Sequence, residues 1–120
     1  MELSTGKIFE FGRFRLDASE RLLYDGERAI SLAPKIFETL LLLVENGGHL
    51  IRKEDMLDKI WAESFVEENN LAQNISYLRR ILGEDKTVKF IETVPKLGYR
   101  FVAPVSTTQI EEPEIVYEQT

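Results

Sequence analysis

The sequence predicts an α+β domain, with an N-terminal four-stranded antiparallel sheet, three helices and a C-terminal β-hairpin. Three observations carry that expectation. Short apolar and aromatic patches, broken by turn residues, fill the first 32 residues. Helical periodicity then recurs between residues 34 and 82, and two β-prone runs flank Pro95-Lys96-Leu97-Gly98.

The early patches are Ile8–Phe11, Arg13–Asp17, Arg21–Tyr24 and Arg28–Leu32. Gly12, Ala18-Ser19-Glu20 and Asp25-Gly26 separate them, and Asp-Gly between two such runs is a strong hairpin signal. The first helix starts at Pro34, where a missing N–H costs nothing. Ile36, Phe37, Leu40, Leu41 and Val44 give it an apolar stripe, and Asn46-Gly47-Gly48 ends it. Leu50-Ile51 reads only as an extended link, and a second helix covers Lys53–Trp61. The third runs from Asn69 or Asn70 to Leu82 and stops at Gly83.

That third helix carries the functional signal. Leu71, Ile75, Leu78 and Leu82 form a narrow inward stripe. At about 100° per residue, Asn70, Gln73, Ser76, Tyr77 and Arg80 fan across the other side, with Asn74 and Arg79 on the flanks. No carboxylate occurs from Asn69 to Gly83, in a chain with 21 Asp and Glu. Amide side chains can pair with adenine edges, and guanidinium groups neutralise phosphates.

Charge at first points the other way, because the formal net charge is −6. Its distribution is uneven, however. Residues 71–104 hold Arg79, Arg80, Lys86, Lys89, Lys96 and Arg100 against Glu84, Asp85 and Glu92. A polyanion responds to the field within roughly 10 Å, so a basic segment can bind it from an acidic chain. The pairs Glu54/Asp55, Glu67/Glu68 and Glu84/Asp85 read as solvated charge or helix-start residues. His49 has no ligand cluster around it, and with no cysteine there is no thiol nucleophile or disulfide. No catalytic pattern or cofactor motif is present, so neither an enzyme nor a cofactor is expected. The longest apolar run, Leu40–Val44, is far short of a membrane span, and a cytoplasmic location is expected.

Three stretches taken together resemble a known family: SLAPKIFETLLLLVENGGHLIRKEDMLDKIW, NNLAQNISYLRRIL and FIETVPKLGYRF. They look like the DNA-binding effector domain of OmpR/PhoB-type regulators, and even more like that of CadC/ToxR-like one-component regulators. The resemblance covers residues 8–104, with residues 1–7 an extension and 105–120 an acidic flexible tail or linker. It implies a winged helix-turn-helix, with the third helix in the major groove of double-stranded DNA and the hairpin, or wing, near the minor groove. Asn70, Gln73, Asn74 and Tyr77 match groove-facing positions. Arg79 and Arg80 match basic positions near phosphates, Trp61 matches a tryptophan that can meet the backbone, and Thr93, Lys96 and Tyr99 match the wing and its base.

The sequence departs from that pattern in places. No receiver domain or phosphoacceptor aspartate is assignable. Pro95 stands where many response regulators carry arginine, and Ala33 and Arg52 replace the usual hydroxyl caps of the first two helices. The expected assembly is a monomer that pairs head-to-tail on tandem DNA sites, with RNA polymerase as a candidate second partner. The rival reading is a winged-helix module that meets a protein instead, which the net charge favours.

Overall fold

The computed structural model describes residues 6–62 and 66–110. Strands β1 (Gly6–Phe11), β2 (Phe14–Asp17), β3 (Leu22–Asp25) and β4 (Arg28–Ile30) form the expected antiparallel meander. Alternation sets its faces. Phe9, Phe11, Phe14, Leu16 and Leu23 are buried, and the register pairs Phe9 with Leu16, Phe11 with Phe14, and Leu16 with Leu23. Glu10, Arg15 and Tyr24 line the other face, where the Arg15 guanidinium lies 4.6 Å from the Tyr24 ring centroid.

Helices α1 (Pro34–Glu45), α2 (Lys53–Ile60) and α3 (Glu68–Ile81) pack against one another beneath that sheet. Phe37, Leu40, Leu43 and Val44 of α1 meet Met56 and Ile60 of α2 and Leu71, Ile75 and Leu78 of α3 in one core. Neither Ala33 nor Arg52 supplies a side-chain cap. α2 is instead held from outside: Lys35 Nζ donates to Ile60 O at its C-terminal end, and Lys53 N at its start donates to Leu97 O.

Two segments differ from the sequence reading. Leu50–Arg52 is a strand, β5, rather than a link. It pairs with β7 (Gly98–Phe101), which pairs in turn with β6 (Ile91–Val94), giving a three-stranded sheet of order β5-β7-β6. A strand this short has no visible period, and a partner far along the chain stabilises it. Gly98 permits the close approach: a Cβ there would overlap the Ile51 carbonyl oxygen.

The second difference lies in the stretch read as a flexible tail from residue 105. Ser106–Ile110 forms β8, antiparallel to β1, with Glu10 opposite Ser106 and Gly6 opposite Ile110. The N-terminal sheet therefore has five strands, in the order β4-β3-β2-β1-β8. An edge strand needs backbone partners more than an apolar face, so a polar sequence suffices. The expectation for 111–120 lies outside the described residues. The two sheets meet through an aromatic cluster in which Phe11 lies 5.1 Å from Phe101 and Phe14 lies 5.7 Å from Phe90, centroid to centroid.

Candidate nucleic-acid interface

α3 begins at Glu68, one or two residues before the expected start at Asn69 or Asn70, so its first turn does carry a carboxylate. That carboxylate is engaged: Lys53 Nζ lies 3.1 Å from Glu68 Oε2. From Asn69 onward the outward face is as the periodicity implies. Asn69, Asn70, Gln73, Ser76 and Arg80 are exposed, while Leu71, Ile75 and Leu78 are buried. Tyr77 is half-buried, its ring 5.9 Å from the Arg80 guanidinium, so Tyr77 and Arg80 form one surface unit. Arg79 and Arg80 occupy the last turn, where cations oppose the helix dipole.

The hairpin stands beside this face. A cleft of about 360 Å³ separates them, lined by Lys53, Asn69 and Ala72 on the helical side and by Thr93, Lys96 and Tyr99 on the other. Lys96 sits at the exposed tip in the left-handed region, at φ 68°. For a residue with a side chain that conformation stores strain of about 1 kcal/mol. The Leu97 carbonyl, bonded to the first amide of α2, anchors the turn. Tyr99 is half-buried, opposite both Thr93 and Ile51 in the three-stranded sheet. Nothing local in the sequence signals that Lys53, at the start of α2, borders the cleft.

Two candidate residues are placed differently from the expectation. Asn74 points toward α1, where its Nδ2 donates to Thr39 Oγ1 at 3.3 Å, and Thr39 is fully buried. An angular offset of about 60° from the stripe was enough to turn it inward. Arg79 is tied to the hairpin: its Nη2 donates to Ile91 O at 3.0 Å and to Thr93 Oγ1 at 2.8 Å. Both side chains are therefore already engaged within the domain, each half-buried. Trp61 follows the last residue of α2, half-buried and packed on the core, which accounts for it as a packing residue.

Glu84 and Asp85, read from sequence as solvated charge, are structural acceptors. The side chain of Glu84 is only 7% exposed, and its Oε2 accepts from the amides of Phe90 and Ile91 at 3.0 Å each. Asp85 Oδ1 accepts from the Thr87 hydroxyl and from the amides of Thr87 and Val88. The Thr87 hydroxyl and these amides hold the Asp85 carboxyl below its ordinary value of 3.8. Among the described residues no acidic, histidine or cysteine cluster could hold a metal ion, and no helix is long and apolar enough to cross a membrane.

Comparison with known proteins agrees with this architecture. Residues 26–101 match the family model described as transcriptional regulatory protein, C terminal. The transcriptional regulator HilA of Salmonella typhimurium is 39% identical over 101 residues, covering 84% of this chain and 18% of that protein. The transcriptional activator CadC of Escherichia coli is 33% identical over 110 residues, covering 89% of this chain and 21% of CadC. The chain thus spans about a fifth of the length of these relatives. The solved DNA-binding domain of Escherichia coli CadC superposes with a TM-score of 0.74 at 25% identity, covering 86% of this chain and 98% of that domain. DrrB, a Thermotoga maritima OmpR/PhoB homologue, superposes with a TM-score of 0.72 at 29% identity, over 79% of this chain and 44% of DrrB. With its matching three-helix core and hairpin, the chain belongs to the family of transcriptional regulatory protein C-terminal domains, of OmpR/PhoB type.

Proposed function

We propose that this chain is the sequence-specific, double-stranded DNA-binding part of a transcriptional regulator. One observation carries the reading: the exposed face of α3 from Asn69 to Ile81 holds amide, hydroxyl and guanidinium groups and no carboxylate, and it borders the hairpin across an open cleft. In this reading α3 enters the major groove. Asn70 and Gln73 read base edges, and Tyr77 reads a thymine methyl or bonds a phosphate. Arg80 and Lys96 neutralise phosphates, with Lys96 and Thr93 toward the minor groove. Asn74 acts from behind, by fixing α3 on α1.

One recognition helix covers only a few base pairs, so pairing on tandem sites raises specificity. The domain is a monomer alone and aligns head-to-tail on direct repeats, and RNA polymerase is the candidate partner beyond DNA. The net charge of −6 keeps a protein-binding module as the second reading.

Selection of bound sites from random duplex DNA, followed by titration at several salt concentrations, separates the two. The expected outcome is an enriched motif, affinity that falls steeply with salt, and tighter binding to a direct repeat than to one half-site. No enriched motif, with salt-insensitive capture of a protein partner, would overturn the DNA reading.

A further inference from the structure

The hairpin is held to the recognition helix by a clasp that starts at the helix C-terminus. α3 ends at Ile81, and Gly83 turns the chain back through φ 73°. The Glu84 amide donates to Arg79 O and the Gly83 amide to Arg80 O, the bonding of a helix-terminating turn in which only glycine enters the left-handed region without strain. This turn delivers the Glu84 side chain to β6. β6 is an edge strand of its sheet, paired only with β7, so alternate amides and carbonyls on its far side lack a ladder partner. Ile91 presents both groups on that side: Glu84 Oε2 accepts from its N–H, and Arg79 Nη2 donates to its C=O. Arg79 continues to Thr93 Oγ1 one step along the strand. Glu84 Oε1 lies 3.5 Å from Arg79 Nε, which closes the ring of contacts.

We propose that Arg79 and Glu84 are positioning residues that use the free edge of β6 to set where the hairpin tip, with Lys96, stands relative to the outward face of α3. Two elements that read one duplex together must keep a fixed separation. A clasp of charge-assisted bonds around the nearly buried Glu84 carboxylate supplies that rigidity at a strand edge with no further strand beside it. Its functional meaning rests on the DNA reading above; its structural action does not.

The test has two arms, using Arg79→Met and Glu84→Gln, both close in size to the native side chains. In the free protein, hydrogen exchange is followed at the amides of β6 and β7 and compared with those of α1. The clasp predicts about tenfold faster exchange in the hairpin, with α1 unchanged. Unchanged hairpin exchange in both variants overturns the proposal, and so does an equal rise in α1, which would mark a general loss of stability. In the second arm, Lys96→Ala is made in the native and the Arg79→Met backgrounds, and duplex affinity is measured. The clasp predicts a severalfold loss in the native background that shrinks toward none once Arg79 is absent. An equal loss in both backgrounds overturns it. Failure of the native protein to bind duplex, or indifference to Lys96→Ala there, counts against the DNA reading of the hairpin, and the exchange arm then decides the clasp alone.

Discussion

Asn74 Nδ2 donates to the hydroxyl of Thr39 at 3.3 Å, so an amide on the recognition helix is spent on holding that helix to α1. Thr39 Oγ1 itself donates to Lys35 O at 2.7 Å, which keeps the buried hydroxyl satisfied from within its own helix. The neighbouring amide Gln73 is exposed. Two adjacent residues of similar chemistry therefore separate into an exposed side chain, the proposed reader, and a support.

Gln73→Ala is expected to relax preference at particular base pairs, by about 1–3 kcal/mol of discrimination. Asn74→Ala is expected to keep the base preference and to lose about 0.5–1.5 kcal/mol of folding stability. Site selection with each variant, together with urea denaturation, checks both. An altered motif in Asn74→Ala with unchanged stability would reverse the assignment.

Arg80 and Lys96 are exposed cations beside the proposed reading face. Neutralising either should weaken binding to specific and random duplexes alike. The slope of log K against log salt should shrink by about 1 for each. Slopes that match the native value for both variants would remove the phosphate assignment.

Stopping the chain after Val105 deletes β8 and bares the outer edge of β1. The expected loss is on the order of 1 kcal/mol or more, since each cross-strand pair contributes a few tenths to 1 kcal/mol. Exchange at the β1 amides should rise with it. A shortened chain as stable as the full one would show that the pairing contributes nothing.

Asp85 is held below its ordinary value of 3.8, so its contribution is present above that value and lost as pH falls through the lower folded value. Native protein should therefore lose stability more steeply than Asp85→Asn does as the pH falls below the ordinary value of 3.8. Melting temperatures across that range decide the matter, and parallel curves would mean that the turn bonds of Asp85 do not discriminate its charged form.

The sequence by itself determined the α+β class, the order of the helices and hairpin, and the inward stripe of Leu71, Ile75, Leu78 and Leu82. These depend on local periodicity and turn chemistry, which a single chain displays openly. It also determined the carboxylate-free face of α3. The tertiary structure decided the rest, because each remaining feature depends on a partner distant in sequence. β5 is a strand only because β7 lies beside it, and β8 only because β1 offers an edge. Asn74 turns inward because Thr39 waits 35 residues away, and Arg79 lies along the hairpin because Ile91 and Thr93 present acceptors. Glu84 looked like surface charge until the turn at Gly83 folded it beneath two unpaired amides. Flank positions on a helix and polar residues at its end have no intrinsic side; the packing of the neighbouring element chooses it.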